Sequence, residues 1–131
     1  MNDSWDSACH QIYPSHFFGF DGYTDPGDAP EHFISESMQR FEQATAGSGV
    51  VLRPWLQAFA WRTKTYSPAY IVTQVRVAHE EGGAGFLFWN ARNDYSKPFA
   101  AMPEVNLVAQ RSVSSKAANA GPISPIIRAS R

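Results

Sequence analysis

Three short stretches carry residues able to do chemistry: YPSH at 13–16, RPWLQ at 53–57 and WNARNDY at 89–95. Each sets an aromatic ring beside hydrogen-bonding side chains. Rings offer flat apolar faces to the C–H side of a pyranose, while amides and guanidinium groups reach its hydroxyls. Tyr13, His16, Arg53, Trp55, Gln57, Trp89 and Asn90 therefore read as the lining of a sugar-binding mouth. The middle stretch poses the sharpest question. In VVLRPWLQAFAW (50–61), strand alternation puts Arg53, Trp55, Gln57, Phe59 and Trp61 on one face. Pro54, Leu56, Ala58 and Ala60 make an ordinary core face on the other.

Each of these residues also has a plain structural use. Trp and Tyr cap cores at strand ends, Arg53 can pair with a carboxylate on a neighbouring strand, and His16 can hold a loop. Recurrence of the same chemistry at three successive strand ends is what favours a site.

Hydrolysis of a glycoside needs more than a platform. It uses two carboxyl groups, roughly 5 to 9.5 Å apart according to the stereochemical outcome. None of the three stretches ends in Asp or Glu. Asp21, Asp25 and Asp28 lie in GFDGYTDPGDAP (19–30), where Gly and Pro neighbours point to turn or capping duty. Asp94, just after the third stretch, is the remaining candidate. The chain is thus expected not to turn over substrate alone. Its four histidines and single Cys9 show no metal-ligand spacing, so no metal or cofactor is expected.

The elements that must hold these residues follow from periodicity. HQIYPSHFF (10–18) reads as a short strand closed by Pro14. Asp28, Pro30 and Glu31 give the N-cap, first turn and third position of a helix, with Ile34, Met38, Phe41 and Thr45 on one stripe and Gly47 and Gly49 ending it. After the second strand, Ser67 and Pro68 start another helix, carried by Ile71, Val75 and Ala78 and stopped at Gly82 and Gly83. GFLFWNA (85–91) is almost continuously apolar, as in a strand covered on both faces. Strand, helix, strand, helix, strand is the signature of a parallel α/β fold. The ordered part is expected at 10–102. Residues 1–9 read as a disordered start, and the Ser-, Ala- and Pro-rich residues 103–131 as a disordered basic tail.

Composition sets the outer limits. At 131 residues there is room for one modest domain. A net charge of −1 argues against nucleic acid or an anionic membrane as partner. No apolar run is long enough to span a membrane, and MNDSWDSACHQ lacks the basic start and apolar centre of a secretion signal.

The three motifs, in this order and spacing, resemble the C-terminal part of an uncharacterised glycoside-hydrolase-like family of TIM barrels, over roughly residues 11–100. The resemblance implies a (β/α)₈ barrel whose last three strands are those read here. It implies a polysaccharide or oligosaccharide substrate, and suggests a bacterial, extracytoplasmic setting. Carried over position by position, Tyr13, His16, Arg53, Trp55, Gln57, Trp89 and Asn90 would line the barrel mouth.

A full barrel needs about 250 residues. Three strands leave two open edges and an uncovered inner face, which call for the missing barrel half or a self-association partner. Two alternatives stay open: a small α/β module that binds glycan or protein without catalysis, and a truncated reading frame with no function of its own.

Overall fold

The structure, a computed structural model, describes residues 7–120, with side chains as far as residue 111. Three parallel strands alternate with three helices. The first strand is split into β1 (Ser7–Ala8) and β2 (Gln11–Ile12), and the second into β3 (Val51–Leu52) and β4 (Trp55–Gln57). The third is β5 (Leu87–Trp89). β1 pairs with β3, and β2, β4 and β5 form a second sheet in that order, all parallel. Pro54 has no amide to offer between β3 and β4, yet its carbonyl still accepts from Leu87 at 2.9 Å. The described residues form an α/β architecture with two small parallel sheets and three α-helices.

Helix α1 (Pro30–Thr45) and helix α2 (Pro68–Glu80) both open on proline. Ser67 caps α2 as its sequence requires, its Oγ accepting the Tyr70 N–H at 3.2 Å. Asp28 does not cap α1. Its carboxylate accepts instead from the Thr65 N–H at 2.9 Å and the Thr65 hydroxyl at 2.8 Å, tying the loop before α1 to the loop before α2. Ala29 takes the cap position. A carboxylate within reach of two donors on a neighbouring loop gains more there than from one helix-end amide.

The third helix, α3 (Ser96–Ala120), departs most from expectation. From about residue 103 the sequence suggests a tail, yet the helix runs through it as far as Ala120. Pro98, Ala101 and Val105 are buried at helical spacing, and α3 packs along α2. The stripe is built of small residues, and Pro103 interrupts it, so hydrophobic periodicity stays faint. Residues 1–6 and 121–131, read as part of a start and a tail, lie outside the described residues.

All three helices share one core. Ile12, Leu52, Leu56 and Ala58 from the strands meet Ile34 and Met38 of α1, Ile71, Val75 and Ala78 of α2, and Ala101 and Val105 of α3. Fully burying a side chain such as Leu56 or Ile71 contributes about 1.5–3 kcal/mol. The register places Gln11, Trp55 and Leu87 side by side on the opposite face. No described helix covers that face: Gln11 is exposed, and Arg53, Trp55 and Leu87 are only half-buried. The third strand is thus not covered on both sides. Phe88 packs toward the helices, while Trp89 stands 47% exposed.

Candidate functional site at the strand ends

The chain leaves β2 through a single turn of 3-10 helix, Pro14–His16, which lifts Tyr13 and His16 to the C-terminal edge of the sheet. Buried Gln57 ends β4 and pins this turn. Its Oε1 accepts the Ser15 N–H at 3.1 Å, and its Nε2 donates to the Phe59 carbonyl at 2.9 Å and to Thr63 Oγ1 at 2.8 Å. One side chain thereby fixes the ends of two strands and the loop that follows the second.

Asn90 does the same work after β5. Its Nδ2 donates to the Ala58 carbonyl at 2.6 Å, and its Oδ1 accepts from the amides of Arg92 at 2.7 Å and Asp94 at 3.2 Å. This Asx-type turn sets the 90–94 loop, in which Asn93 adopts φ 56°. Gln57 and Asn90 are therefore committed to the scaffold and hold the rings in place.

Between these strand ends lies a cleft of about 680 Å³. Its walls are mainly rings: Tyr13, Phe59, Trp61, Tyr66 and Trp89, with His16 beside them. Tyr13 and Phe59 meet edge to face at 5.4 Å between centroids, and His16 lies 5.1 Å from Trp61. Polar groups complete the rim: Asn90, Arg92, Asp94, Ser96 and Lys97.

Of the residues named from sequence, Tyr13, His16, Trp89, Asn90 and Asp94 line this cleft; Arg53, Trp55 and Gln57 do not. Trp55 supports Trp89 from one layer below, the two rings meeting edge to face at 6.4 Å. Arg53 stands four residues before the end of β4, about 13 Å along a strand. Its side chain lies over Gly85, and no described carboxylate pairs with it. Phe59, Trp61, Tyr66, Arg92, Ser96 and Lys97 are among the cleft residues that the sequence-derived set lacked. Phe59 and Trp61 carried a signal, since they continue the alternation of Arg53, Trp55 and Gln57.

The model of a family described as "putative glycosyl hydrolase domain" matches residues 1–95. The chain belongs to this family. No curated protein and no solved structure matches. In this member of the glycosyl hydrolase domain family, the matched span takes in every cleft residue up to Asp94 and stops one residue before α3.

The ionisable groups of the cleft divide by environment. Asp94 Oδ1 accepts from the Ser96 hydroxyl at 2.7 Å and the Ser96 N–H at 3.1 Å. These bonds, with help from Lys97, hold its carboxyl below the usual range. An acid that gives up its proton so readily stays ionised at neutral pH; it fits a base or a charge stabiliser, not a proton donor. Burial moves the phenols the other way, raising Tyr13 and pushing Tyr66 up to about 12, with Asp94 adding to the latter. Both keep their protons and can offer O–H groups to a ligand. Among the described residues, Asp94 is the one carboxylate of this cleft, and no group of three or more metal-ligating side chains occurs.

Proposed function

We propose that this chain supplies the ends of three strands to a glycan-binding cleft of glycoside hydrolase type. The observation that carries the proposal is the ring-lined cleft at the C-terminal edge of a parallel sheet, within a member of a glycosyl hydrolase domain family. Parallel α/β folds place their ligands at that edge. Flat rings with phenol and imidazole groups between them meet both faces of a sugar's chemistry.

The bare face carrying Gln11, Trp55 and Leu87 supports a further step: in the working protein these strands sit within a larger barrel, with this face turned inward. Hydrolysis by the usual two-carboxyl route needs a proton donor, and Asp94 is poorly suited to that role. The donor would then come from outside the described elements. The described residues bind and orient a glycan but do not cleave it alone.

A second proposal, favoured by Asp94 being the one carboxylate of the cleft among the described residues, is a binding module without catalysis. One experiment addresses both. The purified chain is tested for retention on immobilised polysaccharides, and the bound material for new reducing ends. Retention lost in Trp61→Ala and Trp89→Ala supports the cleft. New reducing ends from the chain alone would overturn the claim that a donor is missing. Absence of retention on every glycan tried would remove the glycan proposal.

A further inference from the structure

The first cleft does not end at Trp61. A second hollow of about 590 Å³ shares Ala60 with it and is lined by Phe18, Pro26, Arg62 and Lys64, among others. Arg62 is exposed and adopts φ 50°, a left-handed backbone that a residue with a Cβ rarely takes. The loop that holds it is fixed from below. Thr63 donates its amide to the Ala60 carbonyl at 3.0 Å and its hydroxyl to the Trp61 carbonyl at 3.1 Å, while buried Gln57 bonds both Phe59 and Thr63.

This rigid turn presents two side chains outward together. The Arg62 guanidinium lies 4.3 Å from the centre of the Phe18 ring and 5.2 Å from that of Trp61. Phe18 and Trp61 meet edge to face at 5.7 Å and are 43% and 50% exposed. Stacking orients a guanidinium while leaving its N–H edge free, and that edge matches a carboxylate in bidentate fashion. No described carboxylate pairs with Arg62.

The charges around the two hollows point the same way. Arg62, Lys64, Arg92 and Lys97 line them, against Asp25 and Asp94. Both acids are already engaged, Asp25 with Lys64 at 3.5 Å and Asp94 with Ser96. Lys64 is held by Asp25, whereas Arg62 and Arg92 meet no described carboxylate and stay available to an anionic ligand beside the rings.

We propose that the hollow lined by Phe18 and Arg62, bordered by Trp61 of the first cleft, is a second subsite, which takes a carboxylate-bearing sugar unit of an acidic glycan whose neighbouring unit lies in the first cleft. The proposal rests on the glycan-binding function above. One ring of the ligand stacks on exposed aromatic surface, and its carboxylate meets the Arg62 edge.

The test compares polymers that differ only in charge: polygalacturonate and alginate, each beside its carboxyl-reduced form, with a neutral β-glucan as reference. Binding by the full chain is measured by affinity electrophoresis and calorimetry. Arg62→Asn is the informative variant, because Asn tolerates the left-handed backbone that Arg62 occupies. The expected result is at least tenfold tighter binding to one acidic polymer than to its reduced form, with most of that preference lost in Arg62→Asn and the melting curve unchanged. Equal binding to acidic and reduced forms, or a preference that survives Arg62→Asn, overturns the subsite while leaving the glycan cleft standing. Retention of none of the polymers overturns the cleft and the subsite together.

Discussion

The side chain of Gln74 completes the backbone of Gln57. Its Oε1 accepts the Gln57 N–H at 2.9 Å, and its Nε2 donates to the Gln57 carbonyl at 2.7 Å. The reason lies in the ladder between the first two strands. Arg53 donates to Ala8 and Trp55 to His10, so the next amide in the series is that of Gln57. By then the first strand has turned away at Pro14, and a glutamine from α2 takes the place of the departing strand. Both glutamines are fully buried, where an unpaired backbone group is costly.

Gln74→Leu keeps the volume of this tie and removes both bonds. Two buried backbone groups are left unpaired, which should cost about 2–4 kcal/mol. Denaturant unfolding measures it. A loss below half a kilocalorie per mole would mean that water or a shifted strand replaces the side chain.

Asn90→Ala tests the other clamp. The variant strips the Ala58 carbonyl and the amides of Arg92 and Asp94 of their partner, so a loss of about 1–3 kcal/mol is expected. The larger effect should be local. Amide exchange in the 90–94 loop should speed up well beyond that of α2, and an unchanged exchange pattern would remove Asn90 from its positioning role.

Acid should release the loops around Asp28. Burial draws its carboxyl upward, but hydrogen bonds from Thr65 and Lys64 together outweigh this and leave it below its usual value. A carboxyl that binds its proton more weakly when folded stabilises the fold fully above the unfolded value, near 3.9, and loses that contribution as pH falls through the folded value. Melting temperature followed from pH 6 to 2.5 should therefore drop less steeply in Asp28→Asn than in the parent chain. Identical slopes would show that the tie to Thr65 does not form in solution.

Much of this was legible from the residues, for reasons that differ by element. Ser67, Pro68 and the Ile71–Val75–Ala78 stripe specify α2 locally, and it forms where they require. Asp28 carries the same local signature for α1 but bonds Thr65, 37 positions away, a partner that no local pattern reveals. α3 is hidden because its buried stripe is made of small residues. In the cleft, ring type and strand ends single out Tyr13, His16, Trp89, Asn90 and Asp94, which the structure places along one wall-to-rim surface. Arg53 and Trp55 lie below the cleft, which the run 50–61 does not reveal because it does not show where β4 stops. That point depends on Gln57 meeting Gln74, which is a tertiary event.

The cleft makes an ordered prediction about its tryptophans. Trp61 and Trp89 are about half exposed, at 50% and 47%, so replacing either with Ala removes little packing and should cost less than about 1 kcal/mol of stability. If they are stacking platforms, each loss should weaken glycan binding by about 1–2 kcal/mol, roughly five- to thirty-fold. Trp55 lines no part of the cleft and touches it only through Trp89. Trp55→Phe should therefore change binding less than Trp89→Ala does, because a smaller ring can still meet the Trp89 edge. Calorimetric titration of the three variants against one glycan ranks them directly. A Trp55→Phe effect as large as that of Trp89→Ala would move the site down the strand, onto the bare face that also carries Arg53 and Leu87.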